Sequence, residues 1–171
     1  RRQRQMCIRD SHEYKAKGGG GLIITEDYAV TPTAGGFKKL PGLWEDGQIE
    51  SYKELTRRIH EAGGKIAAQI YHAGRETSSA ITGEQPVGPS ALKDPTMPET
   101  PREMTVEEIH ELVEQFRDCA RRAKEAGFDA VEVHGAHGYL IGAFASPFSN
   151  KRSDEYGGTI RNLSLIHISE P

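Results

Sequence analysis

Residues 128–162 read FDAVEVHGAHGYLIGAFASPFSNKRSDEYGGTIRN, and this stretch decides the fold. Its start, from Asp129 to His134, is rich in β-branched residues and follows a glycine that can end a helix, which predicts a short β-strand. Alternation along a strand places Val131 and Val133 on one face, which is predicted to pack outward against helices. His134 then lies on the other face, at the carboxyl end of the strand, and faces the centre of the fold.

Three side chains that can donate hydrogen bonds lie at the end of this strand and just beyond it. His134, His137 and Tyr139 belong to a loop whose glycines let the backbone fold back. Two imidazoles and a phenol in this position indicate a binding site for an anion or a carbonyl group. A structural histidine and an HxxH metal pair remain open at this point. The metal pair lacks a third ligand nearby, because Asp154 and Glu155 are predicted to form a turn with solvated flanks.

The rest of the chain predicts an alternation of helices and strands. The predicted elements are the last turn of a helix at 14–17, strands at 22–25 and 65–72, and helices at 47–62 and from Thr105 to the stop at Gly127. Thr105 and Glu108 form a capping-box sequence at the start of the last helix. Residues 76–104 contain five prolines and are predicted to be a long irregular connection, of a kind that often binds ligands.

This alternation predicts a parallel sheet with helical crossovers. No GxGxxG follows a strand, which argues against a dinucleotide-binding doubly wound fold. Polar residues collect at the carboxyl ends of three successive strands, the pattern of a (β/α)8 barrel. In the strand at 65–72, the predicted outer face is Ile66, Ala68 and Ile70, and the predicted inner face is Ala67, Gln69 and Tyr71. An inward carboxamide such as that of Gln69 needs hydrogen-bond partners.

The composition argues against several classes of function. The 171 residues carry a net charge of −3, without the basic field that nucleic acid binding needs. No run approaches the roughly 18 apolar residues of a membrane span. The two cysteines, Cys7 and Cys119, form neither a disulfide framework nor a CxxC motif, which favours the reducing environment of the cytoplasm.

The sequence HGAHGYLIGAFASPFSNKRSDEYGG at 134–158 resembles the signature of the old yellow enzyme family, the FMN-dependent NAD(P)H:flavin oxidoreductases and ene-reductases. The similarity runs nearly throughout, with Ala145 where leucine is usual. The segment QIYHAGR at 69–75 resembles a second motif of the family, in which His72 and Arg75 are predicted to be structural or rim residues. The resemblance implies a (β/α)8 barrel, of which this chain covers roughly strands two to four and the loop after the fourth.

The resemblance also implies roles for individual residues. Ala29 matches the small residue that lets the flavin ring approach, and Gln69 matches the glutamine that hydrogen-bonds the polar edge of the ring. His134 and His137 would both donate hydrogen bonds to the carbonyl oxygen of a substrate. Tyr139 would protonate the substrate α-carbon as a general acid.

The activity implied by the resemblance is the passage of a hydride from NAD(P)H through FMN to the C=C bond of an α,β-unsaturated carbonyl compound. The substrate is thus a small molecule, and no metal, nucleic acid or membrane partner is expected. A homo-oligomer of the full-length enzyme remains open. Two alternatives are a metal-dependent barrel hydrolase that uses His134 and His137, and an inactive fragment.

Both ends of the chain depart from the family pattern. Residues 1–11, RRQRQMCIRDS, and residues 163–171, LSLIHISEP, are expected to be non-native tails, which leaves a partial FMN-binding barrel domain at 12–162. The remaining length of about 150 residues is short of the roughly 250 of a complete barrel. The chain is therefore expected to lack the first strand, the later strands and their phosphate-binding loops.

Overall fold

A computed structural model describes residues 2–159 and 162 of the chain. The predicted tail at 163–171 lies outside these residues. Helix α1 spans Arg2–Lys17 and is longer than the single turn predicted at 14–17. The predicted tail at 1–11 is thus helical from Arg2 onward, and its non-native origin stays a prediction. The helix ends where Gly19 adopts a left-handed φ of 92°.

Helices and strands alternate along the described chain, as predicted. After α1 come β1 Leu22–Ile24, β2 Tyr28–Ala29, a 3-10 turn Asp46–Gln48, α2 Ile49–Glu61, β3 Lys65–Tyr71, α3 Ser79–Thr82, β4 Val87–Gly88, β5 Arg102–Glu103, α4 Val106–Glu125, β6 Ala130–Val133 and α5 Leu140–Ala145.

Strand β3 is the centre of the main sheet, and all of its pairings are parallel. Strands β1 and β2 pair with successive parts of one edge of β3, with Ile23 beside Ile66 and Ala29 beside Tyr71. Strand β6 pairs with the other edge, and its Glu132 lies beside Gln69. Because the strands are parallel, their carboxyl ends lie on one side of the sheet, where the predicted site residues meet.

The core lies between the outer face of β3 and the helices that cover it. Ile66, Ala68 and Ile70 of the predicted outer face are at most 1% exposed, and Ala67 and Tyr71 of the predicted inner face are buried as well, so both faces of β3 are covered. At one end of the core, the rings of Tyr28 and Tyr52 lie 4.9 Å apart, centroid to centroid, and Phe128 packs edge-on to Tyr28 at 6.0 Å. Burial of this apolar face stabilises the packing of the helices against the sheet.

Helix α4 begins and ends as the sequence predicts. The Thr105 hydroxyl accepts a hydrogen bond from the Glu108 amide at 3.2 Å, and the Glu108 carboxylate accepts one from the Thr105 amide at 2.9 Å. Gly127, with a φ of 87°, follows the last turn. Cys119 on this helix is fully buried, as expected for a small apolar residue. None of the described helices combines the length and the apolar character that a membrane crossing requires.

The outward packing predicted for the valine face of β6 is only half right. Val131 is partly buried against the core, whereas Val133 is 49% exposed. Strand β6 is an edge of the sheet in the described part of the chain, and no described element covers the end of the strand that carries Val133.

The connection at 76–104 is more regular than predicted. It contains the single helical turn α3. Its two short strands, β4 and β5, pair in a parallel ladder. The prolines do not prevent this pairing, because Pro86 and Pro101 flank the strands and supply no amide to the ladder. The Pro86 carbonyl instead accepts from the Arg102 amide at 2.9 Å.

The turn predicted at 154–155 does not have two solvated flanks. The side chain of Asp154 accepts from the Arg152 guanidinium at 2.9 Å and 2.5 Å, and only Glu155 is exposed. Arg152 is buried and also donates to the carbonyl oxygens of Pro89 and Met104, at 3.1 Å and 2.6 Å. The segment after α5 therefore fastens both strands of the β4–β5 ladder at their carboxyl ends.

The first residue before β6 holds that strand in place against β3. The Asp129 amide donates to the Ile66 carbonyl at 2.9 Å, and the Asp129 carboxylate accepts from the Ile66 amide at 3.0 Å. The same carboxylate accepts from His60 at 2.8 Å and Lys65 at 2.9 Å. Burial opposes the charge, but these donors outweigh it and hold the pKa of Asp129 well below its ordinary value.

We expect Asp129→Ala to lower the free energy of unfolding of the full-length protein by about 1–3 kcal/mol at pH 7, because the Ile66 amide loses its acceptor. A carboxylate with a lowered pKa stabilises the fold above the unfolded value of about 3.9 and loses that effect as the pH falls below it. The deficit should therefore shrink at acidic pH in a series of urea titrations. Asp118→Ala on α4 is the matched control, because that carboxylate is 47% exposed and its ion pair with Arg121 is long, at 3.8 Å. Equal deficits for the two variants would contradict this role.

Candidate active site

The loop that follows β6 turns back toward β3. His137 has a φ of 57° and Gly138 a φ of 79°, so two successive residues adopt the left-handed conformation. Such a conformation is uncommon for a histidine and tends to occur at functional sites. The amide of Leu140, at the start of α5, then donates to the His72 carbonyl at 3.0 Å. This bond fastens the loop to the residue just after β3.

The three predicted donors come together at the end of β6. The ring centroids of His134 and His137 are 5.1 Å apart, those of His134 and Tyr139 5.0 Å, and those of His137 and Tyr139 6.3 Å. Tyr71, at the end of β3, lies edge-on to Tyr139 at 5.1 Å. His134 is buried, Tyr139 is half-buried and His137 is exposed. The cluster is thus a polar surface with one side open.

The hydrogen bonds of the two imidazoles have a defined direction. His134 Nδ1 accepts from the Ala136 amide at 3.2 Å, so a neutral His134 carries its proton on Nε2. That nitrogen lies 3.2 Å from His137 Nδ1, which must then be the acceptor. His137 in turn carries its proton on Nε2. In this arrangement His137 Nε2 is the outermost donor, and the expectation that both histidines donate to one ligand stays a prediction.

His72, at the end of β3, repeats the same local geometry. Its Nδ1 accepts from the amide of Gly74, two residues on, at 3.0 Å. Burial lowers the pKa of His72 to about 4, so this imidazole is neutral at physiological pH. Arg75 is also buried, and its Nη2 lies 3.4 Å from the Asp94 carboxylate. Their burial and contacts agree with the structural role predicted for this pair.

Tyr139 is suited to hold a proton. Burial raises the pKa of its phenol, and the negative charges of Asp27 and Glu76 raise it further. The hydroxyl is therefore protonated at neutral pH and can donate a hydrogen bond or a proton. Its position as the residue just before α5 fixes the backbone from which the ring projects.

Gln69 faces the same side of the sheet as the histidines, one strand away. Its carboxamide nitrogen donates to the Glu132 carboxylate in a short hydrogen bond, which fixes which end of the amide faces β6. The backbone amide of Gln69 donates to the Thr25 hydroxyl at 3.1 Å. The remaining N–H and the oxygen of the carboxamide are left to serve a ligand as a donor and an acceptor.

Ala29 lies on the same face as its neighbour Tyr71, because adjacent residues of paired parallel strands point the same way. Its amide donates to the Pro41 carbonyl at 3.0 Å, and its carbonyl accepts from the Leu43 amide at 3.1 Å. The residue is 2% exposed. Its predicted role in binding a cofactor stays a prediction, and its small side chain lies beneath this surface rather than on it.

Asp27 is a site residue that the sequence analysis missed. Its Oδ1 lies 3.9 Å from His134 Nε2, and its side chain is 20% exposed. Burial raises the pKa of this carboxyl group, against the opposite effect of His134 and His137. The signal was present in the sequence, since Asp27 precedes Ala29 by two residues and therefore lies on the same face of the extended segment.

A metal centre needs at least three protein ligands in most sites. Within residues 2–159 and 162, no three or more His, Cys, Asp or Glu side chains lie together in a way that could hold a metal ion.

We expect long-range proton–nitrogen NMR spectra to show Nδ1 of His134 unprotonated and Nε2 protonated at neutral pH. The reason is the Ala136 amide that faces Nδ1. His72 is the internal control, because its Nδ1 receives the same type of amide bond. A protonated Nδ1 on His134 beside an unprotonated Nδ1 on His72 would contradict the direction of the hydrogen-bond chain.

Comparison with known proteins places this geometry in a family. Residues 7–164 match the NADH:flavin oxidoreductase / NADH oxidase family. The NADPH dehydrogenase of Bacillus subtilis (strain 168) is 42% identical over 171 residues, which cover 92% of this chain and 50% of that protein. The NADH oxidase of Thermoanaerobacter brockii is 45% identical over 152 residues, which cover 88% of this chain and 23% of that protein.

Solved structures agree with these sequence relatives. Morphinone reductase in complex with tetrahydroNAD superimposes with a TM-score of 0.87 at 37% identity, over 94% of this chain and 48% of that one. The old yellow enzyme homologue from Zymomonas mobilis gives a TM-score of 0.84 at 37% identity, over 91% and 46% of the two chains. The chain spans about half the length of most of the relatives it matches. It therefore belongs to the NADH:flavin oxidoreductase / NADH oxidase family, and its fold is that of part of an old-yellow-enzyme (β/α)8 barrel.

Proposed function

We propose that this chain supplies the substrate-facing part of the active site of an FMN-dependent oxidoreductase. The reaction is the transfer of a hydride from NADPH or NADH, through FMN, to the C=C bond of an α,β-unsaturated carbonyl compound. The observation that supports it most is the convergence of His134, His137 and Tyr139 at the end of β6, beside Gln69 on β3. The proposal concerns the whole protein, because this chain spans about half the length of its Bacillus subtilis relative.

The residues present fit one edge of FMN. The pyrimidine edge of a flavin offers alternating donors and acceptors, and the unused N–H and oxygen of the Gln69 carboxamide can pair with both kinds. Glu132 selects the orientation of that amide by accepting one of its N–H groups. When bound, FMN supplies the hydride chemistry of the reaction. The protein then has to orient the substrate, polarise its carbonyl group and deliver a proton.

His137 is the residue that would polarise the substrate. Its Nε2–H is the last donor of the chain that runs from the Ala136 amide through His134. A carbonyl oxygen that accepts this bond gains stabilisation as negative charge builds on it, and loss of such a donor typically costs about 10²–10³ in rate. His134 makes the Nε2–H of His137 a stronger donor, because each bond of a hydrogen-bonded chain polarises the next.

Tyr139 would complete the reaction. As hydride reaches the β-carbon and the C=C bond opens, the phenol O–H gives its proton to the α-carbon, and the phenolate regains a proton from water. The raised pKa keeps the phenol protonated until the α-carbon of the substrate accepts the proton. A general acid in this role contributes about 10²–10⁴ to the rate.

The full-length protein is expected to purify with noncovalent FMN, and Tyr139→Phe should separate its two half-reactions. Alkene reduction by the reduced enzyme should slow by about 100-fold or more, because the proton donor is lost. Flavin reduction by NAD(P)H should stay within about threefold, because it does not use this proton. Stopped-flow absorbance measures the two steps separately.

Tyr156→Phe is the matched control, since it removes the same atom from a ring that packs against His110 rather than against the imidazole pair. It should leave both half-reactions unchanged. A colourless folded protein that takes up no added FMN would contradict the proposed function. A Tyr139→Phe enzyme that is slow only in flavin reduction would contradict the assigned role.

A further inference from the structure

We propose that Asp27 is a specificity-determining residue of this site, which weakens the binding of anionic ligands relative to neutral carbonyl ligands. The inference rests on the proposed function, because it concerns the ligand that accepts a hydrogen bond from His137. It assigns a role to a residue that takes no part in the hydrogen bonding of the histidines or in the proton transfer from Tyr139.

Asp27 is close enough to the imidazole pair to act on what binds there. It lies between β1 and β2, and its Oδ1 is 3.9 Å from His134 Nε2. His137 Nδ1 lies 3.2 Å from the same His134 nitrogen, so Asp27 and His137 approach a single atom of His134. The side chain is 20% exposed, which leaves its charge only partly screened by water.

The negative charge of Asp27 has little to compensate it. Among the ion pairs of the described residues, its one partner is His134, at 3.9 Å, and Nδ1 of that imidazole accepts the Ala136 amide. The titratable groups that surround the carboxylate are Glu26, Tyr71, Glu132, His134, His137 and Tyr139. Two of these six groups are acidic side chains, Glu26 and Glu132.

Neighbouring Glu26 is in a different situation. Its carboxylate lies 3.3 Å from the buried His12 imidazole of α1. The two carboxylates are adjacent in the chain but have different partners, His12 for Glu26 and His134 for Asp27. This makes Glu26 a matched control for the removal of one negative charge.

An uncompensated charge discriminates between ligands of the same shape. A phenolate oxygen that accepts from His137 brings a full negative charge to the same cluster, where a separation on the order of 7 Å sets the scale of the repulsion from Asp27. The repulsion corresponds to roughly 3-fold in affinity at a water-like dielectric constant and to roughly 50-fold at an effective value of 20. A neutral ketone oxygen at the same place carries only a partial charge and is affected much less.

The test compares the wild type, Asp27→Asn and Glu26→Gln as FMN-loaded full-length proteins. Each is titrated with 4-hydroxybenzaldehyde, at a pH at which the phenol is ionised, and with the neutral probe 2-cyclohexenone. The Kd is read from the perturbation of the flavin absorption band, without NAD(P)H. We expect Asp27→Asn to tighten phenolate binding by about 10-fold and to leave ketone binding within about twofold. Glu26→Gln should change neither Kd. Asp27→Ser repeats the test with a smaller side chain should the asparagine variant fold poorly.

The outcomes separate the two proposals. If the wild type binds both probes and the Asp27 variants behave like Glu26→Gln, the role of Asp27 is wrong and the proposed function stands. Equal tightening for phenolate and ketone also overturns it, because a steric effect would act on both. If the FMN-loaded wild type binds neither probe, the proposed function fails and the role of Asp27 fails with it.

Discussion

The arrangement of the site depends on the double hydrogen bond between Asp129 and Ile66. The amide of Asp129 donates to the carbonyl of Ile66, and its carboxylate accepts the amide of the same residue. Because both bonds go to the same residue, they fix the register of β6 against β3. A shift by one position would turn every side chain of β6 to the other face. Glu132 would then lose Gln69, and His134 would point away from the inner side of the sheet.

The same register explains why the polar groups act together. Two strands carry their polar residues to one side of the sheet, and each strand contributes a different kind of group. Strand β3 ends in a neutral carboxamide and a buried phenol, at Gln69 and Tyr71. Strand β6 ends in the imidazole pair, whose hydrogen bonds run in one direction from a backbone amide to an outward N–H. The direction is set by the amide of Ala136, which donates to His134 Nδ1 and leaves Nε2 of His134 to carry the proton.

Much of the fold could be predicted because it depends on local sequence. The strand β3, the capping box of α4 and the glycine after it were predicted from short-range signals, and all three were confirmed. The positions of His134, His137 and Tyr139 followed from one strand and one loop. The family resemblance added the barrel, which the alternation of elements alone only favoured.

The errors share one physical cause, which is contact between parts of the chain that are distant in sequence. Arg152 is buried because carbonyl groups about fifty or sixty residues earlier accept its hydrogen bonds, and a local pattern of charged residues carries no sign of them. The β4–β5 ladder likewise joins residues on both sides of a proline-rich loop. The sequence places Asp27 and Ala29 on one face of their segment, and the contact with the distant His134 is what distinguishes Asp27.

The most direct test of the account is a crystal structure of the full-length protein with FMN and 4-hydroxybenzaldehyde bound. The account predicts the phenolate oxygen within hydrogen-bond distance of His137 Nε2 and the carboxamide of Gln69 against the pyrimidine edge of the flavin. A phenolate held elsewhere, or a flavin whose polar edge contacts neither Gln69 nor its strand, would contradict it.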